Sequence, residues 1–478
     1  MACSDCSAQI QQAWVARYNN GITNGTNQAV KMVLDSSGNI YVTGISQNAN
    51  TNLGYVTIKY APNGNQLWAT RFDSTNYLSA TPSGLGLDNS NNVIVTGSAL
   101  TIKYDTNGNQ LWTAPYSGTS LAVDMLGNVA VTGFGTSFNS VKLSPSGSTL
   151  WQESYSSPLG TSVGQAVCVD TTGNICVAGS YAYFKEQNTV NYKLLIIKYG
   201  SNGSQAWTAS YAPGGGEPPA QVEGMALDEF GNLSVAVNFP GDQPYTVVRC
   251  NSNGNVAWSY SFFDDYYDTV RGLALNTLGA ILVTGSISFY DEDGFSFATF
   301  KVGTNGAEVW TDGYPQVTAL TNVATSIAID IANNSYVTGY SPGSNFSNDI
   351  VTIKYGPNGN QLWLQRYHGP GNGNDAGNAI AVDNNGNVYV TGFEATVAGG
   401  TEIVTIKYSP LALTKQTNGS FLLQAQGSPG ESFDIQASAN LLNWLDLGTV
   451  IADTNGLMQY ADTNSSNFPS RYYITSPQ

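Results

Sequence analysis

Thr352-Ile353-Lys354-Tyr355-Gly356-Pro357-Asn358-Gly359-Asn360-Gln361-Leu362-Trp363, with Asp383-Asn384-Asn385-Gly386-Asn387-Val388-Tyr389-Val390-Thr391-Gly392 a short way downstream, decides the fold. In each stretch a run of β-branched and aromatic residues meets a Gly/Asn-rich turn, which is the signature of adjoining antiparallel strands. Both stretches recur along the chain, so one strand unit is repeated. The Asp position reads Asp35, Asp88, Asp124, Asp170, Asp228, Asn276, Asp330 and Asp383. The basic position reads Lys59, Lys103, Lys142, Lys198, Arg249, Lys301, Lys354 and Lys407. Each unit holds four short runs rich in Val, Ile, Tyr and Thr. Asn63-Gly64, Asn107-Gly108, Asn253-Gly254, Asn305-Gly306 and Asn358-Gly359 are expected to supply positive φ angles for a tight hairpin between strands three and four. Strands such as Ala379-Ile380-Ala381-Val382 show little alternation, as expected where both faces of a sheet pack on neighbours.

Successive copies of the repeat Trp lie 39 to 56 residues apart, the period of a β-propeller blade. The predicted fold class is all-β: an eight-bladed β-propeller over residues 12–410, after an N-terminal tail at 1–11 and before a small C-terminal β-sandwich module at 411–478. The eighth unit stops at Lys407-Tyr408-Ser409-Pro410 without a fourth strand. Gln12-Ala13-Trp14-Val15-Ala16-Arg17-Tyr18 is a fourth strand lacking its other three. The N-terminal strand is therefore expected to close the ring, hiding two raw sheet edges. Trp14 then joins the series Trp68, Trp112, Trp151, Trp207, Trp258, Trp310 and Trp363. Each of these is expected to dock on the next blade, worth about 2 to 3 kcal/mol by burial.

Charged residues make up only 10% of the chain, with 52 glycines, a net charge of -16 and a pI near 4.3. Nucleic acid and anionic membrane both need a positive face, so neither is expected as a partner. No run of about 18 apolar residues could span a bilayer. The start MACSDCSAQI lacks the basic and apolar regions of a secretory signal, so an exported form is expected to begin upstream of Met1. Cys3 and Cys6 form a C-x-x-C followed by Ser7 rather than the His that haem attachment needs, leaving a local disulfide or a former lipid anchor. Cys168 and Cys176 flank a turn symmetrically and read either as a cross-hairpin pair or as two buried thiols.

The units, typified by DNNGNVYVTG and TIKYGPNGNQLW, resemble the SBBP class of bacterial β-propeller repeats. Residues 411–478, with SFDIQASANLLNWLDLGT and the ending FPSRYYI, resemble a β-sandwich module at the C-terminus of secreted proteins from Verrucomicrobia-like bacteria. The resemblances imply a secreted or cell-surface protein. Neither implies a reaction or transfers a catalytic residue.

Function is sought where the units differ. Turns such as DSSGN, DTTGN and PNGNQ are near-invariant on one face, whereas the loops between strands two and three hold 12, 3, 6, 16, 9, 13, 12 and 12 residues in blades one to eight. Variable loops on a rigid scaffold are where binding residues concentrate. A rim cut down over blades two and three suits an extended ligand such as a polysaccharide, although neutral drift in loop length gives the same pattern. The Asp track starts D-x-x-G-N turns, where the side chain caps its own backbone, and the basic track reads as its structural partner.

The strongest departure lies at blade six. Phe262-Phe263-Asp264-Asp265-Tyr266-Tyr267-Asp268 enters it, and Tyr290-Asp291-Glu292-Asp293-Gly294-Phe295 joins its second and third strands. Asp264, Asp265, Asp268, Asp291, Glu292 and Asp293 are candidate ligands for calcium, a cation that takes six to eight oxygens. Tyr266, Tyr267, Tyr290 and Phe295, with Tyr183 in the longest loop, are candidate platforms for sugar rings. A solvated acidic loop with its aromatics tucked onto the blade is the plainer alternative. His368 is the only histidine and a further candidate, although RYHGPGNGND stands where the first copy has RYNNGITNG, which reads as replacement of an Asn. No Ser-His-Asp arrangement follows from spacing. The preferred expectation is a monomeric, non-catalytic, secreted or cell-surface scaffold that presents its variable face to a glycan or cell-surface protein. The alternative is a polysaccharide lyase or hydrolase with a calcium-assisted carboxylate site. A quinone-dependent dehydrogenase is disfavoured by the lack of an adjacent Cys-Cys pair.

Overall fold

The computed structural model describes residues 10–477 apart from 75–78, 136, 158, 160, 185–189, 214–217, 240–244, 262–267, 290–291, 315–320, 344–345, 427–429, 431, 440–442, 455 and 469–470. Residues 10–410 form eight four-stranded antiparallel sheets. Blade one is typical, its strands Asn27–Leu34, Ile40–Gln47, Leu53–Tyr60 and Gln66–Phe72 lying side by side in chain order. Blades two to seven repeat that order. Blade eight takes Ala376–Val382, Val388–Ala395 and Thr401–Pro410 from one end of the repeat region and Ile10–Tyr18 from the other. In that last pairing Trp14 sits opposite Lys407 and Tyr18 opposite Ile403. The first strands of consecutive blades pack on one another in order, and that of blade one packs on that of blade eight.

Burial follows position in the blade. The second strand Ile40–Gln47 is almost wholly buried, whereas the fourth, Gln66–Phe72, is half exposed. The core is a set of layers between blades: Ile40, Val42 and Ile58 of blade one meet Trp14, Tyr389 and Ile403 of blade eight. Both faces of the inner strands are thus apolar, which is why their sequences do not alternate.

Two turns recur. In the first, Asp35 Oδ1 accepts the backbone N–H groups of Ser37 and Asn39 at 2.9 Å, and Asn39 Nδ2 donates to Oδ2 at 2.7 Å. Gly38 takes φ +77°, and where blades two and seven lack that glycine, Asn91 and Asn333 adopt the left-handed conformation at φ 58° and 63°. In the second turn only the glycine of Asn-Gly is left-handed, Gly64 at φ +86°, with Gly64 N–H donating to Ala61 O at 2.9 Å and a register shift at Lys59/Tyr60. The expected hairpin with positive φ at both residues is therefore replaced by a longer turn closed by a glycine bulge.

That bulge seats the tryptophan. A Cβ built on Gly64 would lie 2.8 Å from Trp14 Cδ2, and one on Gly359 would lie 2.7 Å from Trp310 Cδ2. Trp14 Nε1 donates to Pro62 O at 3.1 Å, Trp68 Nε1 to Thr106 O at 2.9 Å and Trp310 Nε1 to Pro357 O at 3.1 Å, so each indole is bonded to the turn of the next blade. The basic track bridges the same joints: Lys103 Nζ lies 2.8 Å from Asp88 Oδ2 of its own blade and 3.1 Å from Pro145 O of the next.

The C-terminal residues form two three-stranded sheets. Phe421–Gln426 is central in one and Ser432–Ser438 in the other, around a shared core that includes Leu423, Phe433, Ile435, Met458 and Tyr473. The FPSRYYI ending has a physical role here. Arg471 Nε lies 2.5 Å from buried Asp462 Oδ2, Tyr473 OH donates to the same oxygen at 3.0 Å, and the guanidinium covers the Phe468 ring at 4.1 Å.

Candidate functional site

The face bearing the variable loops is uneven. Blade four raises a hairpin of two ten-residue strands, Ile175–Phe184 and Val190–Tyr199, where blade two has only Val93–Gly97 and Thr101–Tyr104. Blade six is also long, with Ile281–Phe289 and Glu292–Val302. On the blade-four hairpin Tyr183 is half-buried, and Lys193 Nζ lies 5.4 Å from the Tyr181 ring centroid and 5.6 Å from that of Tyr183. Phe184 is exposed near the tip.

Of the blade-six candidates, Asp264, Asp265, Tyr266, Tyr267, Tyr290 and Asp291 lie outside the described residues. Glu292 and Asp293 open the strand Glu292–Val302, and their side chains also lie outside the description. Asp268 is buried at the entry to the blade, the place held by Asn27 in blade one and Asn322 in blade seven. Phe295 is partly buried, and its carbonyl accepts Asn322 N–H at 2.9 Å and Asn322 Nδ2 at 2.8 Å.

His368 belongs to a different cluster, at the junction of blades seven and eight. Its Nδ1 lies 2.8 Å from Asp349 Oδ1 and 4.0 Å from Asp375 Oδ2, with both carboxylates buried and the imidazole exposed. Arg366 Nη1 holds the other Asp349 oxygen at 2.9 Å. Asp375 accepts the N–H groups of Gly369 at 2.7 Å and Ala395 at 2.9 Å. Burial pushes the Asp375 carboxyl above its usual range, against the pull of those two donors and His368. Asp349, His368 and Asp375 are the one group among the described residues whose ligand atoms, all within 4.8 Å of one another, could hold a metal ion. The arrangement also continues a structural pattern, since Asn19 in the matching position donates to Glu402 Oε2 at 3.0 Å. Asp349 and Asp375 escaped the sequence reading because they meet only across a blade boundary.

Beside this cluster Arg17 of the N-terminal strand donates through Nη2 to Tyr367 OH at 2.6 Å and pairs through Nε with buried Glu394. Tyr367 OH donates to Glu394 Oε2 at 2.5 Å. The Arg17–Glu394 pair joins the two chain ends that share blade eight, and Tyr367 ties both to the last strand of blade seven. Burial raises the Glu394 carboxyl, and Tyr367 and Arg17 oppose it.

The opposite face is not featureless. A hollow of about 800 Å³ lies between blades five and six, lined by Phe230, Leu278, Trp258 and the Asp228–Arg249 pair. Asp228 and Arg249 are track residues, so this hollow reuses structural side chains. Cys168 and Cys176 face each other across adjacent strands as free thiols, with Cys168 raised chiefly by the hydrogen bond to Cys176 and by burial.

Radial four-stranded blades, with structural tracks of Asp, Lys and Trp on every repeat, define a β-propeller repeat protein. Residues 318–347 and 366–392 match the SBBP family model, described as a β-propeller repeat. No curated protein matches the chain in sequence. Among solved structures it is similar to PorZ, a surface component of the type-IX secretion system of Porphyromonas gingivalis, at 10% identity and TM-score 0.43, over 93% of this chain and 73% of that one. It is also similar to the Pan2 WD40 domain of Neurospora crassa, at 9% identity and TM-score 0.46, over 85% of this chain and 97% of that one. A protein of unknown function from Bacteroides caccae shows 13% identity and TM-score 0.35, over 57% and 91%. These likenesses assign no ligand. No helix among the described residues is long and apolar enough to cross a membrane.

Proposed function

We propose that the protein is a secreted or cell-surface binding scaffold whose uneven loop face takes an extended, uncharged glycan. The observation that carries this reading is the difference in hairpin length around the rim. Five extra residues in one strand and six in the other make the blade-four hairpin roughly 17 Å longer than that of blade two, at about 3.3 Å per residue. A polymer can lie across the low sector against that tall wall. Tyr181 and Tyr183 supply ring faces there, and a net charge of -16 disfavours polyanions. The low side of the groove is bounded by the short turn Ser98-Ala99-Leu100.

The test is a glycan array with the whole chain, repeated on a variant in which residues 180–195 are replaced by Ser-Ala-Leu as in blade two. Hits that disappear in the variant while the melting temperature holds support the reading. Hits unchanged by the replacement refute the face assignment, and a blank array refutes the glycan. A product assay on each hit separates binding from turnover.

A further inference from the structure

The first strand of each blade faces the axis of the ring. In seven blades its register with the second strand shifts at one residue, such as Glu223 in blade five and Arg271 in blade six. A bulged residue leaves the ladder, so its side chain is re-aimed. In four blades it ties its blade to the next. Ser83 Oγ donates to Gly118 O at 2.6 Å, Gln165 Nε2 to Ala220 O at 2.9 Å, Thr325 Oγ1 to Gly377 O at 2.5 Å and Asn378 Nδ2 to Ala29 O at 2.8 Å.

Blades one, five and six break this rule at one place. Among the described residues Glu223 reaches only Asn238 Nδ2 of its own blade, at 3.4 Å, and Arg271 bonds no neighbouring backbone. Blade one has Val30 at the bulge and then Lys31, where the other seven blades carry Gly, Ala or Ser, among them Gly84, Ala166, Gly224 and Gly272. A cavity of about 410 Å³ opens where these side chains converge, with Asn378, Thr325 and Tyr340 completing its wall. That is room for roughly a dozen waters at about 30 Å³ each. Among the described residues no ion pair within 4.0 Å joins Lys31, Glu223 and Arg271.

We propose that this axial cavity binds a small oxyanion-bearing solute, a carboxylate or a phosphate, between the Lys31 ammonium and the Arg271 guanidinium. Two exposed cations against one partly buried carboxylate leave a positive excess at the cavity, so binding there is expected to weaken as salt rises. Desolvation by the surrounding strands pushes the Lys31 amine down and the Glu223 carboxyl up, while the Lys31 and Arg271 side chains themselves are exposed and so free to meet a solute. An oxyanion relieves the cations, and Glu223 is left to accept from a ligand hydroxyl. Arg271 offers the planar fork suited to either anion. The site is independent of the loop face, since no residue of the blade-four hairpin lines it.

The experiment is calorimetric titration of the whole chain with inorganic phosphate and, separately, with glucuronate, at fixed ionic strength. One site per chain is expected, with Lys31→Met and Arg271→Gln each weakening it at least tenfold and Glu223→Gln tightening it several-fold. The tighter probe shows which oxyanion the cavity prefers. No heat from either probe, or affinities unchanged in both cation variants, overturns the proposal. Weaker binding in Glu223→Gln also overturns it, because the three charges would then be a structural bridge. Arg271→Gln keeps the test decisive if Lys31→Met fails to fold.

Discussion

Removing the indole of Trp14 tests whether the ring depends on its N-terminal strand. Trp14 is 3% exposed, packs in the layer shared by blades one and eight, covers Gly64 and donates to Pro62 O at 3.1 Å. Truncating a buried aromatic costs about 3 to 5 kcal/mol, a figure that includes the cavity left behind. The lost indole hydrogen bond strands Pro62 O beside Lys407 Nζ, 3.3 Å away, which partly compensates it. Taking about 4 kcal/mol, and an unfolding entropy of about 2.1 cal/mol/K per residue over roughly 400 residues, the melting temperature falls by about 5 °C. The informative comparison is Trp258→Ala, whose indole donates to Thr304 O at 2.9 Å in the equivalent joint between blades five and six. There the chain runs continuously from one blade to the next. At the Trp14 joint the chain also runs on, from Ile10–Tyr18 into Asn27–Leu34 of blade one, but the Trp14 strand is held in its own blade only by its pairing with Thr401–Pro410 and by side chains. Scanning calorimetry of both variants should therefore show the larger loss for Trp14→Ala. Equal losses, or an unchanged transition in Trp14→Ala, would refute the idea that this joint is the weak one.

Deleting residues 10–18 goes further: it bares the edge of Thr401–Pro410 and removes Arg17 from Glu394, so light scattering should report aggregation well below the melting point of the intact chain. Gly359→Ala forces a side chain into φ +88° and a 2.7 Å approach to Trp310, so a loss of about 1 to 3 kcal/mol is expected in urea denaturation. Asn276→Asp supplies the missing carboxylate to Lys301, whose amine burial pushes down, and should raise the denaturation midpoint at pH 7 by about 1 kcal/mol. The acid limb follows from the Asp track. Turn N–H groups and lysines hold Asp88, Asp124 and Asp170 below the ordinary carboxylate range, despite burial acting the other way. A depressed folded pKa contributes stability above the unfolded value near 3.9 and loses it as pH falls through the folded one. Asp375 and Glu394 are raised, so they oppose folding as pH climbs through their elevated values. Melting temperature should thus hold or rise slightly from pH 7 to about 4 and fall steeply below about 3, and a fall beginning near pH 6 would contradict these assignments.

What could be read from the sequence is what every blade needs. Asp35 and Asp383 both cap a turn, Lys103 and Lys142 both reach across a joint, and Trp68 and Trp310 both cover a glycine. Repetition makes such roles visible because each copy meets the same geometry. The distinctive chemistry is invisible by the same logic. Asp349 and Asp375 are brought together only because the third strand of blade seven abuts the entry to blade eight, a closeness that spacing does not encode. Lys31 and Glu223 come from blades one and five, and only a ring of eight sets those two across a shared axis. The signal available beforehand was a departure in type rather than in length: a lysine where all other copies carry Gly, Ala or Ser, and an Arg and a Glu where the other copies carry Ser, Gln, Thr, Asn or, in blade one, Val30. Loop length draws attention to the rim, whereas residue size at the bulge draws it to the axis. A large charged side chain at a position that otherwise admits only small ones has an open channel to occupy, so in a repeat of this kind the search for a site begins with the track that tolerates least.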